Sequence, residues 1–419
     1  MEISNTLFVK KSRLEGQVRV SGAKNSSLRL LAASLLTDET IELFNFPNGL
    51  SDVQVHLEML KVLGKEYSSD GDSVRVTEVD SKTSTVLNWE GRSIRNTLLI
   101  LGALTTRFGE GRVPLPGGCK LGERKYDLHV MLLKNLGAEV WEEGEFLCAR
   151  SKSKRLIGSE IHLPMRSTGA TENSILCATL AKGQTTVWNP HIRPEIIDLI
   201  DMLNKMGAKI EVFGQKCIVI NGVDKLNGVR HSVIPDNMEA LTWAIGSVIT
   251  NGDVEILNFP KEHLDVPMIF LKESGMRIYD GKESIIVTGG SPYPLEISTG
   301  PYPGINSDMQ PLIAVYGAMS KGTSKIIDLR FPGRYGYAEE LAKMGMTYAV
   351  EGDMLVIEGG NSLTGATVKA LDLRAGMALL LAGMTAEGET LIENAWQIGR
   401  GYELLDQKLD GLGAVIGIR

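Results

Sequence analysis

One of the four cysteines stands where a thiol would be reactive. Cys119 follows the turn-forming residues 116–118, Pro-Gly-Gly, which have few side chains to cover a sulfur atom. Lys120 and Arg124 come shortly after it, and neighbouring cations lower the pKa of a thiol and favour the thiolate. The sequence therefore predicts that Cys119 is a reactive thiol. The other three lie in apolar runs and fit small buried hydrophobes: Cys148, Cys177 and Cys217. The sequence disfavours a protease-like catalytic pair of Cys119 with His129, because it contains neither an oxyanion-hole motif nor a third partner for the pair.

Polar and cationic residues recur at the starts of apolar helical runs along the chain. A helix N-terminus has unpaired backbone N–H groups and a partial positive charge, so it favours bound anions. Surface lysines and arginines are usually only solvated, and for any one position alone that is the simpler interpretation. Their recurrence at matching places, next to small residues, instead indicates a convergent pocket for phosphate and carboxylate groups. The residues are Lys24, Asn25, Arg95, Arg124, Arg166, Ser167, Gly169, Asp308, Arg334, Arg374 and Arg400.

A repeat along the whole chain supplies the elements that must position these side chains. Six apolar helical runs each end in a glycine and lead into a strand, at spacings of 68 to 73 residues. The glycines are Gly64, Gly137, Gly207, Gly275, Gly345 and Gly413. Each suits the position just past a helix end, where the left-handed conformation is common. Each repeat also begins with a second helical run, and since this run is apolar nearly all round, we expect it to be buried.

This pattern predicts an α/β protein of two domains, each built from three units with helices inside and sheets outside. A length of 419 residues also favours more than one domain. The expected first domain is 24–234, which carries the Cys119 loop. The expected second domain combines 1–23 with 235–419, because the N-terminal strand needs a sheet and the C-terminal half can supply one.

Composition excludes several classes of protein. A net charge of −7 argues against a nucleic-acid binder that depends on a basic field. The chain has neither an apolar run of about 18 residues, which would indicate a membrane span, nor a signal-peptide pattern at its start. The cysteines form no Cys-X-X-Cys pair, so a disulfide framework or a zinc site is not expected. We therefore expect a cytoplasmic protein without nucleic-acid or membrane partners.

Several motifs together resemble the UDP-N-acetylglucosamine 1-carboxyvinyltransferase (MurA) family of enolpyruvyl transferases. They are "SGAKNSS", "LPGGCKLGER", "DLH", "SDMQ", "LDLRAG" and "RGYE", and the resemblance runs from about Leu14 to the C-terminus. It implies a two-domain inside-out α/β barrel of six repeats of about seventy residues. It also implies transfer of the enolpyruvyl group of phosphoenolpyruvate to the 3-hydroxyl of UDP-N-acetylglucosamine, with release of phosphate, as the first committed step of peptidoglycan synthesis. No metal or organic cofactor is implied.

The resemblance also implies roles for individual residues. Cys119 would be the acid toward the phosphoenolpyruvate carbon, and Asp308 the base facing the sugar hydroxyl. Phosphate and carboxylate would be held by Lys24, Arg124 and Arg400, with support from Arg334 and Arg374. Contacts to the sugar nucleotide would come from Asn25, Arg95 and Arg330, from Asp127, Leu128 and His129 near the uracil, and from Arg166, Ser167, Thr168 and Gly169 at the diphosphate. Among these, the catalytic set would be Cys119, Asp308, Lys24 and Arg400.

Some positions depart from the family pattern. Arg193 stands where an acidic residue is usual, Gly399 where aspartate is common and Lys125 where proline is common. Asn237 and Leu241 also differ from the usual residues. These changes concern the acceptor more than the phosphoenolpyruvate chemistry, so two alternatives stay open. One is enolpyruvyl transfer to another uridine nucleotide, such as UMP in a secondary-metabolite pathway, and the other is a catalytically silent relative that binds a sugar nucleotide.

Overall fold

The computed structural model of the protein describes residues 6–79, 83–92, 94–115 and 126–419. The chain divides into two compact units, one comprising Gly22–Ile234 and the other Met1–Ser21 with Pro235–Arg419. Each unit has its own core, formed by buried aliphatic side chains of its helices and by the inner faces of its strands.

Helices of two kinds alternate along the chain. The odd-numbered helices are buried nearly all round, as their apolar sequences predict, whereas the even-numbered ones keep an exposed face. In α3, for example, every side chain from Thr97 to Thr106 is buried. The α-helices of the described ranges are α1 (Lys24–Ala33), α2 (Ser51–Val62), α3 (Thr97–Phe108), α4 (Asp127–Asn135), α5 (Thr168–Thr179), α6 (Pro194–Lys205), α7 (Asn237–Ile249), α8 (Asp265–Glu273), α9 (Gln310–Ala318), α10 (Gly336–Ala342), α11 (Leu373–Thr385) and α12 (Leu405–Gly411).

The strands are short and carry alternating buried and exposed side chains, so each sheet has one face on a core. In the described ranges they are β1 (Thr6–Lys10), β2 (Glu15–Arg19), β3 (Ile41–Phe44), β4 (Lys65–Asp70), β5 (Ser73–Glu78), β6 (Glu110–Pro114), β7 (Ala138–Glu143), β8 (Phe146–Ser151), β9 (Glu160–His162), β10 (Gln184–Trp188), β11 (Lys209–Phe213), β12 (Cys217–Asn221), β13 (Val229–Ser232), β14 (Asp253–Leu257), β15 (Arg277–Asp280), β16 (Ser284–Thr288), β17 (Glu296–Ser298), β18 (Thr323–Ile327), β19 (Thr347–Glu351), β20 (Met354–Glu358), β21 (Thr367–Lys369), β22 (Glu389–Glu393) and β23 (Ile416–Ile418).

The described strands form six small sheets, three in each unit, of which five are mixed and the sixth has only antiparallel strand pairs. In the sheet ordered β11-β12-β10-β9, the buried helix α5 connects the parallel strands β9 and β10, and α6 leads into the antiparallel pair β11 and β12. A parallel pair needs such a crossover, and a buried helix supplies it. The sheet β6-β8-β7 has three strands, and a parallel bridge between Val86 and Arg112 takes the place of the fourth.

At both passages between the units, the last strand pairs within its own unit and not with the strand that follows the next helix. Strand β2 leads into α1 but pairs in parallel with β14, whereas β13 leads into α7 but pairs in parallel with β3. Strand β1 also joins the C-terminal strands β22 and β23. The strands β1 and β2 thus belong to sheets built mainly from the C-terminal half.

The six repeat glycines all follow the ends of helices with positive φ, between 78° and 104°. This confirms their predicted position, because a residue without Cβ adopts this conformation at little cost. No helix within the described ranges is long and apolar enough to span a bilayer.

Candidate active site

Lys24 begins α1 and is held by an acidic partner. Its Nζ lies 3.6 Å from Oδ2 of Asp52, in the first turn of α2, and Asp52 also pairs with Arg92. The turn before Lys24 requires a glycine, since a Cβ at Gly22 would lie 1.7 Å from the carbonyl oxygen of Asn45. Asp52 and Arg92 were not predicted from the sequence, because an acid in the first turn of a helix is common for reasons of helix stability alone.

His129 lies at the N-terminus of α5, close enough to Arg95 for the charge of the arginine to act on the ring. A Cβ at Gly169 would stand 3.2 Å from Nε2 of His129. Burial of the imidazole, together with the nearby charge of Arg95, lowers the pKa of His129 to about 3, so the ring is neutral at physiological pH. Ser167 caps α5 by accepting a hydrogen bond from the backbone N–H of Ala170 at 3.4 Å. The neutral imidazole of His129, the charge of Arg95 and the backbone N–H groups in the first turn of α5 together suit an anionic ligand.

The remaining predicted residues of this unit lie near these two helix starts. Thr168 Oγ1 is 2.9 Å from Nδ1 of His191, and Arg166 is partly exposed just before the cap. Asp127 is exposed at the start of α4, and Leu128 packs partly buried against the core. The backbone oxygen of Asn25 accepts a hydrogen bond from Arg29 at 2.7 Å.

A buried group of charges lies behind Asn25 and includes the departure at Arg193. Arg29 Nε donates to Glu172 at 2.6 Å, and Arg193 Nε donates to Glu195 at 2.8 Å. Burial raises the pKa of Glu172 although Arg29 opposes it. Burial also acts to raise the pKa of Glu195, but Arg193, a backbone hydrogen bond and Arg29 outweigh it, so the pKa of Glu195 is lowered. Two arginines and two glutamates thus neutralise one another.

In the unit that contains Pro235–Arg419, Arg334 joins two carboxylates. Its Nη1 donates to Asp308 Oδ1 at 2.9 Å and its Nη2 to Asp372 Oδ2 at 3.3 Å. Burial alone would lower the pKa of Arg334, but Asp308 and Asp372 outweigh it and raise the pKa. Asp308 does not cap the helix that follows it, because Met309 is the N-cap residue of α9 and no side chain caps this helix. Asp308 instead presents a partly exposed carboxylate that pairs with Arg334.

Asp328 organises the two segments that carry Asp308 and Arg334. Its side chain is fully buried. Oδ1 accepts from Thr299 Oγ1 at 2.9 Å and from the backbone N–H groups of the two residues that precede Pro332, at 2.9 and 3.0 Å. Oδ2 accepts from the side chains of Ser307 at 2.5 Å and Gln310 at 2.9 Å. Asp328 was not predicted from the sequence, because it follows an apolar strand and belongs to no motif.

Arg374 is a buried cation at the start of α11. It is 3% exposed, and its Nε and Nη1 have no hydrogen-bond partner among the described residues. Burial opposes its charge, but Tyr402, Asp236 and Asp308 raise the pKa of the guanidinium. The plane of Tyr402 lies beside it, with Cζ 5.4 Å from the ring centroid. Buried N–H donors without acceptors fit a site that receives a carboxylate or a phosphate.

The other predicted residues of this unit have these positions. Arg400 ends a short 3₁₀ helix, Ala395–Arg400, and its Nη1 donates to Gln397 at 2.8 Å. The guanidinium of Arg330 lies over the ring of Phe331, 5.6 Å from its centroid. Asn237 begins α7, Leu241 is buried within it, and Gly399 lies in the 3₁₀ helix.

Cys119, Arg124 and Lys125 lie outside the described residues. The other three cysteines are buried, and burial raises the pKa of the Cys177 thiol to about 12. Among the described residues no cluster of three or more histidine, cysteine or acidic side chains could hold a metal ion.

Comparison with known proteins gives a consistent family. The family model of EPSP synthase (3-phosphoshikimate 1-carboxyvinyltransferase) matches residues 9–409. UDP-N-acetylglucosamine 1-carboxyvinyltransferase 1 of Carboxydothermus hydrogenoformans is 44% identical over 404 residues, covering 96% of this chain and 95% of that protein. The corresponding protein of Finegoldia magna is 41% identical, with 97% of each chain covered.

Solved structures agree at the level of the fold. The enolpyruvyl transferase NikO from Streptomyces tendae superposes with a TM-score of 0.88 at 25% identity, covering 98% of each chain. EPSP synthase from Acinetobacter baumannii gives 0.77 at 19% identity, with 98% of this chain and 99% of that one covered, and so shows the mixed α/β fold alone. The resemblance inferred from the motifs is confirmed: the chain belongs to the UDP-N-acetylglucosamine 1-carboxyvinyltransferases, within the EPSP synthase family of enolpyruvyl transferases.

Proposed function

We propose that this protein transfers the enolpyruvyl group of phosphoenolpyruvate to the 3-hydroxyl of UDP-N-acetylglucosamine and releases phosphate, in the first committed step of peptidoglycan synthesis. The observation that carries this proposal is the identity of 44% over nearly the whole length with a relative of that name. We further propose that the six sheets and their helix pairs are six repeats of two inside-out α/β domains, 24–234 and 1–23 with 235–419. Cytoplasmic location stays a prediction from the sequence.

The proposed reaction begins with proton transfer from the acceptor. Asp308 takes the proton of the sugar hydroxyl while the hydroxyl oxygen forms a bond to C2 of phosphoenolpyruvate. The thiol of Cys119 gives a proton to C3, so the methylene becomes a methyl group and a tetrahedral phosphoketal results. The C2–O bond to phosphate then breaks, and the departing phosphate takes up the proton removed from the sugar hydroxyl. C3 returns a proton to the thiolate of Cys119, so both side chains regain their starting states. Atoms and charges balance without a metal or organic cofactor.

The charges of the described site support this assignment. The intermediate carries a carboxylate and a phosphate on one carbon, so it needs cations that are already in place. Arg374 offers buried guanidinium donors without acceptors among the described residues. Lys24 and Arg334 are each fixed by a carboxylate, and we assign Lys24, Arg124, Arg374 and Arg400 to the anions of phosphoenolpyruvate.

The acceptor is assigned to the helix starts of the unit Gly22–Ile234. The N-terminus of α5, with Ser167, Thr168 and Gly169, presents backbone N–H groups suited to a diphosphate. Nε2 of His129 faces this turn, so we assign His129 to the phosphates and not to the uracil that the motif implied. Arg95, whose charge acts on the ring of His129, is assigned to the same phosphates. The departure at Arg193 does not leave an uncompensated charge near Asn25, since Glu195 pairs with it.

Phosphate release tests the proposal directly. The enzyme is given phosphoenolpyruvate together with UDP-N-acetylglucosamine, UMP or shikimate 3-phosphate in separate reactions. We expect release with UDP-N-acetylglucosamine and little with the other two. Release mainly with UMP would overturn the acceptor assignment, and no release with any acceptor would favour a ligand-binding relative.

A further inference from the structure

Two histidines in the unit Gly22–Ile234 are buried in the same way. His56 on α2 and His129 on α4 each lie eight residues before the glycine that follows their helix. Nδ1 of His56 is 3.0 Å from the amide nitrogen of Asn96, and Nδ1 of His129 is 3.1 Å from that of Asn173. Burial, helped by a nearby arginine in each case, lowers the pKa of both rings to about 3. A neutral imidazole carries one N–H, and the partner of the first nitrogen decides where the proton is.

The contacts of the two amides fix their orientation. Nδ2 of Asn96 also donates to the backbone oxygen of Leu28 at 2.8 Å, and a carbonyl only accepts, so the atom facing His56 is the nitrogen. In Asn173 the oxygen accepts from Cys177 Sγ at 3.7 Å. That oxygen also lies 2.0 Å from where a Cβ would stand on Gly102, so it packs against a bare helix backbone. The nitrogen of Asn173 therefore faces His129.

This orientation determines the chemistry of the second ring nitrogen. Because Nδ1 of His129 accepts from Asn173, the proton of the neutral ring lies on Nε2. Nε2 is directed at the first turn of α5, 3.2 Å from the Cβ position of Gly169. The side chain is 7% exposed, and no residue of the described ranges forms a hydrogen bond to Nε2. A preset N–H donor thus stands beside the N–H groups of the helix N-terminus.

We propose that Asn173 is a positioning residue that holds His129 as the Nε2–H tautomer, so that the ring donates a hydrogen bond to the phosphates of the acceptor. The inference rests on the proposed function, in which the N-terminus of α5 binds a diphosphate. With the proton on Nδ1, Nε2 would direct a lone pair at the phosphate oxygens and repel them. The amide of Asn173 thereby decides whether His129 attracts or opposes the ligand.

The tautomer can be observed without any ligand or turnover. Long-range ¹H–¹⁵N NMR spectra of histidine-labelled protein distinguish a protonated from an unprotonated ring nitrogen, and a His129→Phe sample assigns the signals. We expect Nε2–H in the wild type. In Asn173→Asp the carboxylate accepts from Nδ1–H, so we expect the proton to move to Nδ1. A wild-type Nδ1–H tautomer overturns the proposal even if the variant fails to fold.

The matched control is the equivalent pair of the neighbouring repeat. Asn96→Asp should invert the tautomer of His56 and leave the signals of His129 unchanged. UDP serves as the probe in calorimetric titrations, because it carries a diphosphate and its binding can be measured without turnover of UDP-N-acetylglucosamine. Loss of one charge-assisted hydrogen bond weakens binding by about 10- to 100-fold, which we expect for Asn173→Asp and not for Asn96→Asp.

The outcomes separate this inference from the proposed function. An inverted tautomer with unchanged UDP affinity would overturn the role of His129 at the phosphates. Equal losses of affinity in both asparagine variants would show a general effect of a buried charge and would also overturn it. Absence of turnover with UDP-N-acetylglucosamine, with the expected tautomer and UDP affinities, would overturn the proposed function alone.

Discussion

Replacing Asp308 by asparagine separates proton transfer from structure at the candidate site. The amide of Asp308→Asn keeps the size of the side chain and can keep an oxygen toward Arg334, but it does not act as a base. A well-placed general base contributes about 10²- to 10⁴-fold to the rate. We therefore expect turnover to fall at least about a hundredfold, while the affinity for the acceptor changes little.

The structure limits the effect of this change on stability. The side chain of Asp308 is 37% exposed, and its partner Arg334 also bonds to Asp372 at 3.3 Å. Ion pairs with a partly exposed member contribute about 0.2–1 kcal/mol. Asp308 does not cap α9, so the loss of about 1 kcal/mol that follows removal of a cap does not arise. The free energy of unfolding should thus fall by less than about 1 kcal/mol.

Phosphate release and thermal melting of the same sample provide the test. Asp372→Ala is the control, because Asp372 contacts the same guanidinium but also caps α11 through two backbone N–H groups, each at 2.8 Å. We expect this control to lose more stability than Asp308→Asn and to keep more turnover. A lower melting temperature with near-normal turnover in Asp308→Asn would refute its role as the base.

Four shorter predictions concern other groups. A limiting alkylating reagent should label Cys119 before the three buried cysteines, and mass spectrometry showing another thiol labelled first would contradict this. Arg374→Lys should raise the KM for phosphoenolpyruvate by about 10- to 100-fold, since lysine lacks the planar fork of donors, and an unchanged KM would remove Arg374 from the anion site. Asp328→Ala should lower the free energy of unfolding by at least about 1–3 kcal/mol, and it should also slow turnover because it displaces the ion pair of Asp308 and Arg334. Normal turnover of the folded variant would show that Asp328 contributes to stability alone. The folded pKa values of His56 and His129 lie below their ordinary value, so their contribution to stability is complete above about pH 6.5 and is lost as the pH falls toward 3, by about 1.4 kcal/mol per pH unit for each ring. In urea unfolding between about pH 7 and pH 5, the free energy of unfolding of His56→Asn should therefore change less with pH than that of the wild type. An equal dependence on pH in the two proteins would contradict this prediction.

The elements of the fold could be predicted from the sequence because their signals are local. An apolar helical run followed by glycine and a strand needs only neighbouring residues to be recognised, and the six repeat glycines adopt the expected positive φ. The burial of α3 follows in the same way from a run that is apolar on every face. The individual partners of β2 and β13 could not be predicted, because strands that are far apart in the chain leave no local pattern of their pairing.

The supporting residues of the site could not be found for the same reason. Asp328 matters through donors from two segments that approach it only in the fold, and its own neighbours in the chain are apolar. Asn173 lies in the middle of a buried helix, where its contact with His129 depends on the packing of α4 against α5. Sequence motifs identified the groups proposed to touch substrate, whereas the groups that orient them follow from packing.

The departure at Arg193 shows how a change that suggests a new acceptor can be absorbed by its surroundings. In the sequence, an arginine at a usually acidic position reverses a charge near the predicted sugar contacts. In the fold, Arg193 pairs with Glu195, and Arg29 pairs with Glu172 close by, so the buried group carries no net charge. Since a buried unpaired charge is strongly destabilising, such a group is stable only as a balanced whole. Arg29 also bonds to the backbone of Asn25, so the balance extends to the start of α1. The reversal at Arg193 therefore gives no reason to assign a different acceptor.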